Sequence, residues 1–379
     1  MGEEAEPRTV FIFIEPYTSG DAYADDAIHY VDPIEEIYDI NRSDPYHMDT
    51  SMQLAYDTFQ NHTGGQIPTI GVLNAEQSAS VPGASSELFY ILDINAYNFL
   101  LTAQIIEAEV AGNPNNNYYV NSSFGTIFNT VVSSQYSSLL EEYRTNQSFE
   151  GALFSEISTL LGENDPLLQD LKDAISRGDE NQGLLILREV NRAYLAQSVH
   201  YQEYVRITND LVQNHNVRFF NAEANTGIGV SEDNHELMET LGLDEITAFA
   251  VSDGEISDDG TCVEPYSHDQ MSYDNSVEVI FPHAPYDHNY YLSESNSFAA
   301  PEFMATIAAM DYNINAELGM RPDMNTLVEI MSGAELLGQN SENWQMNTDC
   351  DPARQQSYED QYYNTLYTAV SNAMSVNGR

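Results

Sequence analysis

Thr9-Val10-Phe11-Ile12-Phe13-Ile14-Glu15 is a nearly unbroken apolar run closed by a carboxylate. A strand that is apolar on both sides has both faces covered, the condition of a strand inside a parallel sheet flanked by helices. Runs of the same kind recur at 88–94, 118–120, 217–220, 246–251 and 277–281, with helical stretches between them. That alternation predicts an α/β fold of three layers around a mostly parallel central sheet. Loops are signalled by Gly64-Gly65, by Asn113-Pro114-Asn115-Asn116-Asn117 and by the glycines around 254–260.

Residues 133–215 carry a different pattern. Leu139, Leu140 and Tyr143, then Leu153, Phe154, Ile157, Leu160 and Leu161, then Leu168, Leu171 and Ile175, then Leu187, Val190, Tyr194 and Leu195 recur at helical spacing. Asp165-Pro166 supplies an N-cap and a first helical residue, and Gly178 a stop. The spacing predicts an inserted helical segment, which divides the chain into 1–132, the insertion 133–215 and 216–379.

The 379 residues include 60 Asp plus Glu against 12 Lys plus Arg, a formal charge of -48, and Lys172 is the single lysine. Such a surface repels phosphate backbones and anionic headgroups, so nucleic acid and membrane surfaces are excluded as partners. Self-repulsion on this scale is relieved by screening, since the Debye length falls to about 3 Å near 1 M salt. A saline setting outside the cell or at its surface follows as an expectation. Acidic runs at 21–26 and 258–260 are candidates for structural calcium, without EF-hand spacing. Cys262 and Cys350, the only cysteines, form either one disulfide or two thiols. Sequons begin at Asn41, Asn61, Asn121 and Asn146. No apolar run has transmembrane length, and residues 1–8 lack the regions of a signal peptide, so a mature form without membrane insertion is expected.

Ser295-Asn296-Ser297-Phe298-Ala299-Ala300-Pro301 runs straight into Phe303-Met304-Ala305-Thr306-Ile307-Ala308-Ala309-Met310. A serine at a helix entrance, followed by small residues and a proline, holds its hydroxyl clear of neighbours with the positive end of the helix dipole behind it. The segment resembles the serine motif of the subtilisin-like serine peptidases, where Gly-Thr-Ser precedes Met or Phe, Ala-Ala-Pro and a buried helix. Ser295-Asn296 stands where that family has Gly-Thr.

The resemblance implies a subtilisin-like fold and a triad in the order acid, His, Ser. Glu15 closes the first strand, where the family carries Asp. His62, in Asn61-His62-Thr63-Gly64-Gly65, is the candidate base; the family's catalytic His opens a buried helix, and matching Gly71-Val72-Leu73 to the Gly-Ile-Ile of that helix would put it near Gly65. Ser123-Phe124-Gly125, after Tyr118-Tyr119-Val120-Asn121-Ser122, resembles the strand that pairs with bound peptide. Asn225, in Asn221-Ala222-Glu223-Ala224-Asn225-Thr226-Gly227, resembles the oxyanion asparagine, with Ala224 replacing a glycine. The implied activity is hydrolysis of peptide or protein substrates through an acyl-enzyme at Ser297, with no organic cofactor required. The alternative keeps the fold without the chemistry, as a surface, binding or assembly component capable of self-association. No P-loop or GxGxxG follows the first strand, which disfavours nucleotide binding.

Overall fold

The computed structural model describes residues 7–15, 28–31, 47–74, 81, 86–122, 128–222, 247–256, 263–265, 277–281, 296–324, 326–327, 330 and 355–377. The strands are β1 (Thr9–Glu15), β2 (His29–Val31), β3 (Thr69–Asn74), β4 (Asn117–Ser122), β5 (Val217–Ala222), β6 (Phe249–Ile256), β7 (Val263–Pro265) and β8 (Val277–Phe281). They form one sheet in the order β2-β3-β1-β4-β5-β6, with β7 and β8 both paired to β6. β3, β1, β4, β5, β6 and β8 run parallel, and β2 and β7 are antiparallel to their partners. The architecture is thus α/β with a mostly parallel mixed sheet.

The helices are α1 (His47–Thr63), α2 (Tyr90–Gly112), α3 (Phe128–Asn146), α4 (Ala152–Leu161), α5 (Pro166–Arg177), α6 (Glu180–Leu195), α7 (Val199–Asn214), α8 (Asn296–Leu318) and α9 (Gln355–Asn377). Side-chain alternation along the strands sorts them into layers. Phe11, Phe13, Ile70, Val72, Tyr119, Phe220, Phe249 and Val251 share one core with α1, α8 and α9. Val10, Ile12, Ile14, Leu73, Tyr118, Val120, Val217 and Phe219 share the other with α2 and α3–α7. Helices α3 to α7 follow one another between β4 and β5. Within them, the Asp165 carboxylate accepts from Leu167 N at 2.8 Å, Pro166 opens α5, and Gly178 ends it at φ 68°, the left-handed conformation that glycine adopts without a Cβ penalty.

Two segments differ from the sequence expectation. The apolar run 88–94, expected as a strand, enters α2 instead, because Leu92, Ala96, Leu100, Ala103, Ile106 and Val110 continue it as a buried helical stripe. Conversely, the stretch around Gly71-Val72-Leu73, matched to a buried helix, is strand β3, paired residue by residue with β1. Gly71 leaves no room for a side chain there, since a Cβ would meet Ile28.

Candidate active site edge

Every parallel strand ends at the same edge of the sheet. Glu15 is in register with Asn74, Ile14 with Ser122, Ser122 with Asn221, and Ala222 with Val251. In open α/β sheets this carboxyl edge is where ligands bind. Glu15 therefore stands on it as the last residue of β1. Ser123, Phe124 and Gly125 begin directly after β4, and Asn225 comes three residues after β5; all four lie outside the described residues. Cys262, Cys350 and the acidic runs 21–26 and 258–260 lie outside them too. Behind the edge, Ile14, Thr102, Ser122, Thr208 and Asn221 line a cavity of about 30 Å³, room for a single water.

Ser297 is the second residue of α8. This helix is apolar almost all round: Ala299, Ala300, Phe303, Met304, Ala305, Ile307, Ala308, Ala309 and Met310 are fully buried, as expected of a helix sandwiched between sheet and neighbouring helices. Pro301 falls in its second turn and removes the N–H that would otherwise bond the Ser297 carbonyl.

His62 does not meet Ser297. It occupies the last turn of α1, and its backbone oxygen accepts from Asn313 Nδ2 at 2.9 Å. Asn313 is sixteen residues further along α8 than Ser297, about 24 Å at 1.5 Å per residue. A general base must come within about 3 Å of the proton it takes. The His62 imidazole instead stacks on Tyr363 of α9, with ring centroids 4.0 Å apart and an interplanar angle of 11°. Gly64 and Gly65, at φ 69° and 98°, turn the chain from α1 toward β3, so His62 belongs to the amino edge. The reason is register: the helix expected to begin at this histidine ends there.

The residue that does open α1 is His47. α1 and α8 make the most extensive helix–helix contact among the described elements, and their carboxyl-terminal ends coincide, with Phe59 and Tyr312 ring centroids 6.1 Å apart. From that shared end, His47 lies fifteen residues back from His62 and Ser297 sixteen back from Asn313, about 22 and 24 Å along the two axes. Equal lengths bring both amino termini to the carboxyl edge, with axes about 8–10 Å apart where helices pack. The signal for His47 was present in the sequence. Met52, Ala55, Tyr56 and Phe59 form a buried stripe at helical spacing that starts just after it.

A second constellation, not anticipated from sequence, lies toward the amino edge. The Asp311 Oδ2 atom accepts from Tyr119 OH at 2.7 Å, and meets Arg218 Nη2 at 3.0 Å and Arg321 Nε at 2.9 Å. Arg218 Nη2 also donates to the Pro322 carbonyl, and Arg321 Nη1 to Asn117 Oδ1. Burial pushes the Arg218 guanidinium down to about 10, against the opposing pull of Asp311. Burial also raises the Tyr119 phenol, so it stays protonated and donates. Charged residues far apart in sequence announce no such cluster in advance.

Among the described residues no group of three or more His, Cys, Asp or Glu could hold a metal ion, and no helix is long and apolar enough to cross a membrane. Comparison with protein families, with curated proteins and with solved structures gave no match to this chain.

Proposed function

We propose that the chain is a divergent subtilisin-like serine endopeptidase whose proton carrier is His47. The observation that carries this reading is the common edge: Glu15 at the end of β1, and His47 and Ser297 at the starts of two parallel, packed helices. Acid, His and Ser then follow in the chain order that the serine motif implies, with the histidine at the start of a buried helix, as that family has it.

In this reading Ser297 Oγ attacks the scissile carbonyl while His47 takes its proton, and the C–N bond breaks as His47 returns the proton to the leaving amine. Water then hydrolyses the ester by the same route in reverse order. Glu15 orients the imidazole, one methylene longer than the aspartate usual in the family. Asn225 and the Ser297 N–H hold the oxyanion, and Ser123-Phe124-Gly125 pair with the peptide as an added strand. Two helix amino termini at one edge add positive potential where negative charge develops.

The test is covalent labelling of the full chain by a fluorophosphonate in molar NaCl. Labelling at Ser297, lost in Ser297→Ala and His47→Ala, is expected. A folded chain that never labels overturns the peptidase and leaves the α/β scaffold as a surface, binding or assembly component.

A further inference from the structure

The segment 86–93 enters α2 at the carboxyl edge, because it follows β3, whose last residue is paired with Glu15, and α2 leads back to the start of β4. Few of its polar contacts are local. The Glu156 carboxylate, on α4, accepts from Ser86 Oγ at 2.6 Å and from Glu87 N and Leu88 N at 3.2 Å each. Ser86 Oγ in turn accepts from Phe89 N at 2.8 Å. On α3, Gln135 Nε2 donates to the Leu88 carbonyl at 3.1 Å, while Gln135 and Asn191 of α6 exchange amide hydrogen bonds of 3.0 and 2.9 Å, all buried. Tyr194 of α6 stacks on Phe89 at 4.1 Å and donates to Asp93 Oδ1 at 2.8 Å.

The clamp has its own support. Glu142 of α3 accepts from Leu153 N and Phe154 N, the first turn of α4, at 3.1 and 3.3 Å. A Cβ at Gly151 would overlap the Glu142 carboxylate, so a larger residue there displaces this side chain and the two hydrogen bonds it accepts. The Glu156 carboxylate thus takes three donors from the turn that leads into α2, ahead of its N-cap Phe89, and it satisfies the two backbone N–H groups among them from a helix some seventy residues away.

We infer that the helical insertion fixes one wall of the substrate cleft, with Glu156, Gln135 and Asn191 as positioning residues. The inference rests on the peptidase reading, because it assigns the carboxyl edge to substrate. None of the three residues touches the reacting atoms; they act through 86–93. Holding that wall in place before substrate arrives removes an ordering cost from binding, so its loss is read in KM rather than in the chemical step.

The test compares wild type, Glu156→Ala and Glu156→Gln as full chains in molar NaCl. Hydrogen exchange at the Glu87, Leu88 and Phe89 amides reads the clamp directly. Exchange about tenfold faster or more in Glu156→Ala, with the β1 and β4 amides unchanged, is expected. Glu156→Gln, which keeps an acceptor oxygen, recovers part of the protection. Peptide hydrolysis then shows KM raised about fivefold with kcat within about twofold, and fluorophosphonate labelling, which needs no extended substrate, keeps its rate. Unchanged exchange overturns the clamp, and faster exchange with unchanged KM overturns its role in binding. If Glu156→Ala does not fold, Glu156→Gln decides by the same readings. A wild-type chain that neither labels nor hydrolyses peptide sinks the peptidase reading and the KM role with it, while the exchange measurement still decides the clamp.

Discussion

The two ends of the α1–α8 pair are built from different chemistry. At the amino edge the helices are tied down: Phe59 meets Tyr312 edge to face, Tyr363 stacks on His62, and Asp311 gathers Tyr119, Arg218 and Arg321. At the carboxyl edge the same helices begin, and each beginning leaves backbone N–H groups that no intrahelical carbonyl satisfies. One end spends its polar groups on itself, and the other is where the peptidase reading puts the ligand. A histidine at each end makes the contrast testable, with His62 stacked on Tyr363 and His47 the proton carrier of the proposed reaction.

The sharpest way to break the comparison is to remove the two histidines separately. His47→Ala is expected to slow fluorophosphonate labelling of Ser297 by about a thousandfold or more, the scale of losing a triad base. His62→Ala should label within about twofold of wild type and cost about 1 kcal/mol of stability through the lost stack with Tyr363. Reversed results would place the chemistry at the amino edge and refute the assignment of the two ends.

The next largest effect belongs to the buried cluster. Asp311→Ala leaves Arg218 and Arg321 buried without their shared carboxylate, and breaking a buried pair in this way costs about 3–5 kcal/mol. Denaturant midpoints should fall accordingly, with the labelling rate of the remaining folded protein close to wild type. A loss of labelling without a loss of stability would mean that the two ends are coupled.

Alkali attacks the buried phenols, those of the amino edge among them, alongside Tyr194 and Tyr204 on the opposite face of the sheet. Burial raises the phenols of Tyr119 and Tyr363 above their ordinary value near 10, and burial followed by Glu317 pushes Tyr367 up to about 12. Unfolded phenols lose their protons near pH 10 while the folded ones keep theirs, so the stabilisation is complete below pH 10 and is lost as pH rises toward 12. Denaturant midpoints on either side of pH 10 measure it. Both edges share a dependence on salt: with a formal charge of -48, thermal midpoints should rise between 0.1 and 1 M NaCl as repulsion is screened.

How far the sequence led follows from which signals are local. β1, β4, β5, β6 and β8 were legible because strands covered on both faces need near-continuous apolar runs, and α5 because Asp165, Pro166 and Gly178 mark its ends. The run 88–94 misled because five or six apolar residues suit a buried helix start as well as a strand; only the stripe through Val110 separates them. At the site, Ser297 at a helix entrance and Glu15 at a strand end were readable from their immediate neighbours. His62 stands out in sequence for the glycines beside it and for the apolar stretch after it, which is a strand. His47 needed the helix to be recognised first, from Met52, Ala55, Tyr56 and Phe59. Apart from the ten-residue Asp311–Arg321 pair, the hydrogen bonds of the Asp311 cluster and the Glu156 clamp join residues 68 to 204 positions apart in sequence, and no local pattern encodes such pairings.

The smallest prediction is the most discriminating about how the tied end works. Asn313 Nδ2 is shared between the His62 carbonyl at 2.9 Å and Tyr363 OH at 2.6 Å, so one side chain on α8 joins the end of α1 to α9. Asn313→Ala removes both bonds at a part-buried position, where net hydrogen-bond contributions are about 1 kcal/mol each. A loss of about 1–2 kcal/mol with unchanged labelling is therefore expected. Hydrogen exchange in α9 should rise in the same variant while the amides of α2 do not respond, because α2 packs on the opposite face of the sheet. Faster exchange in α2 would show that the sheet transmits strain between its faces, and the two ends of the α1–α8 pair could then no longer be treated as separate devices.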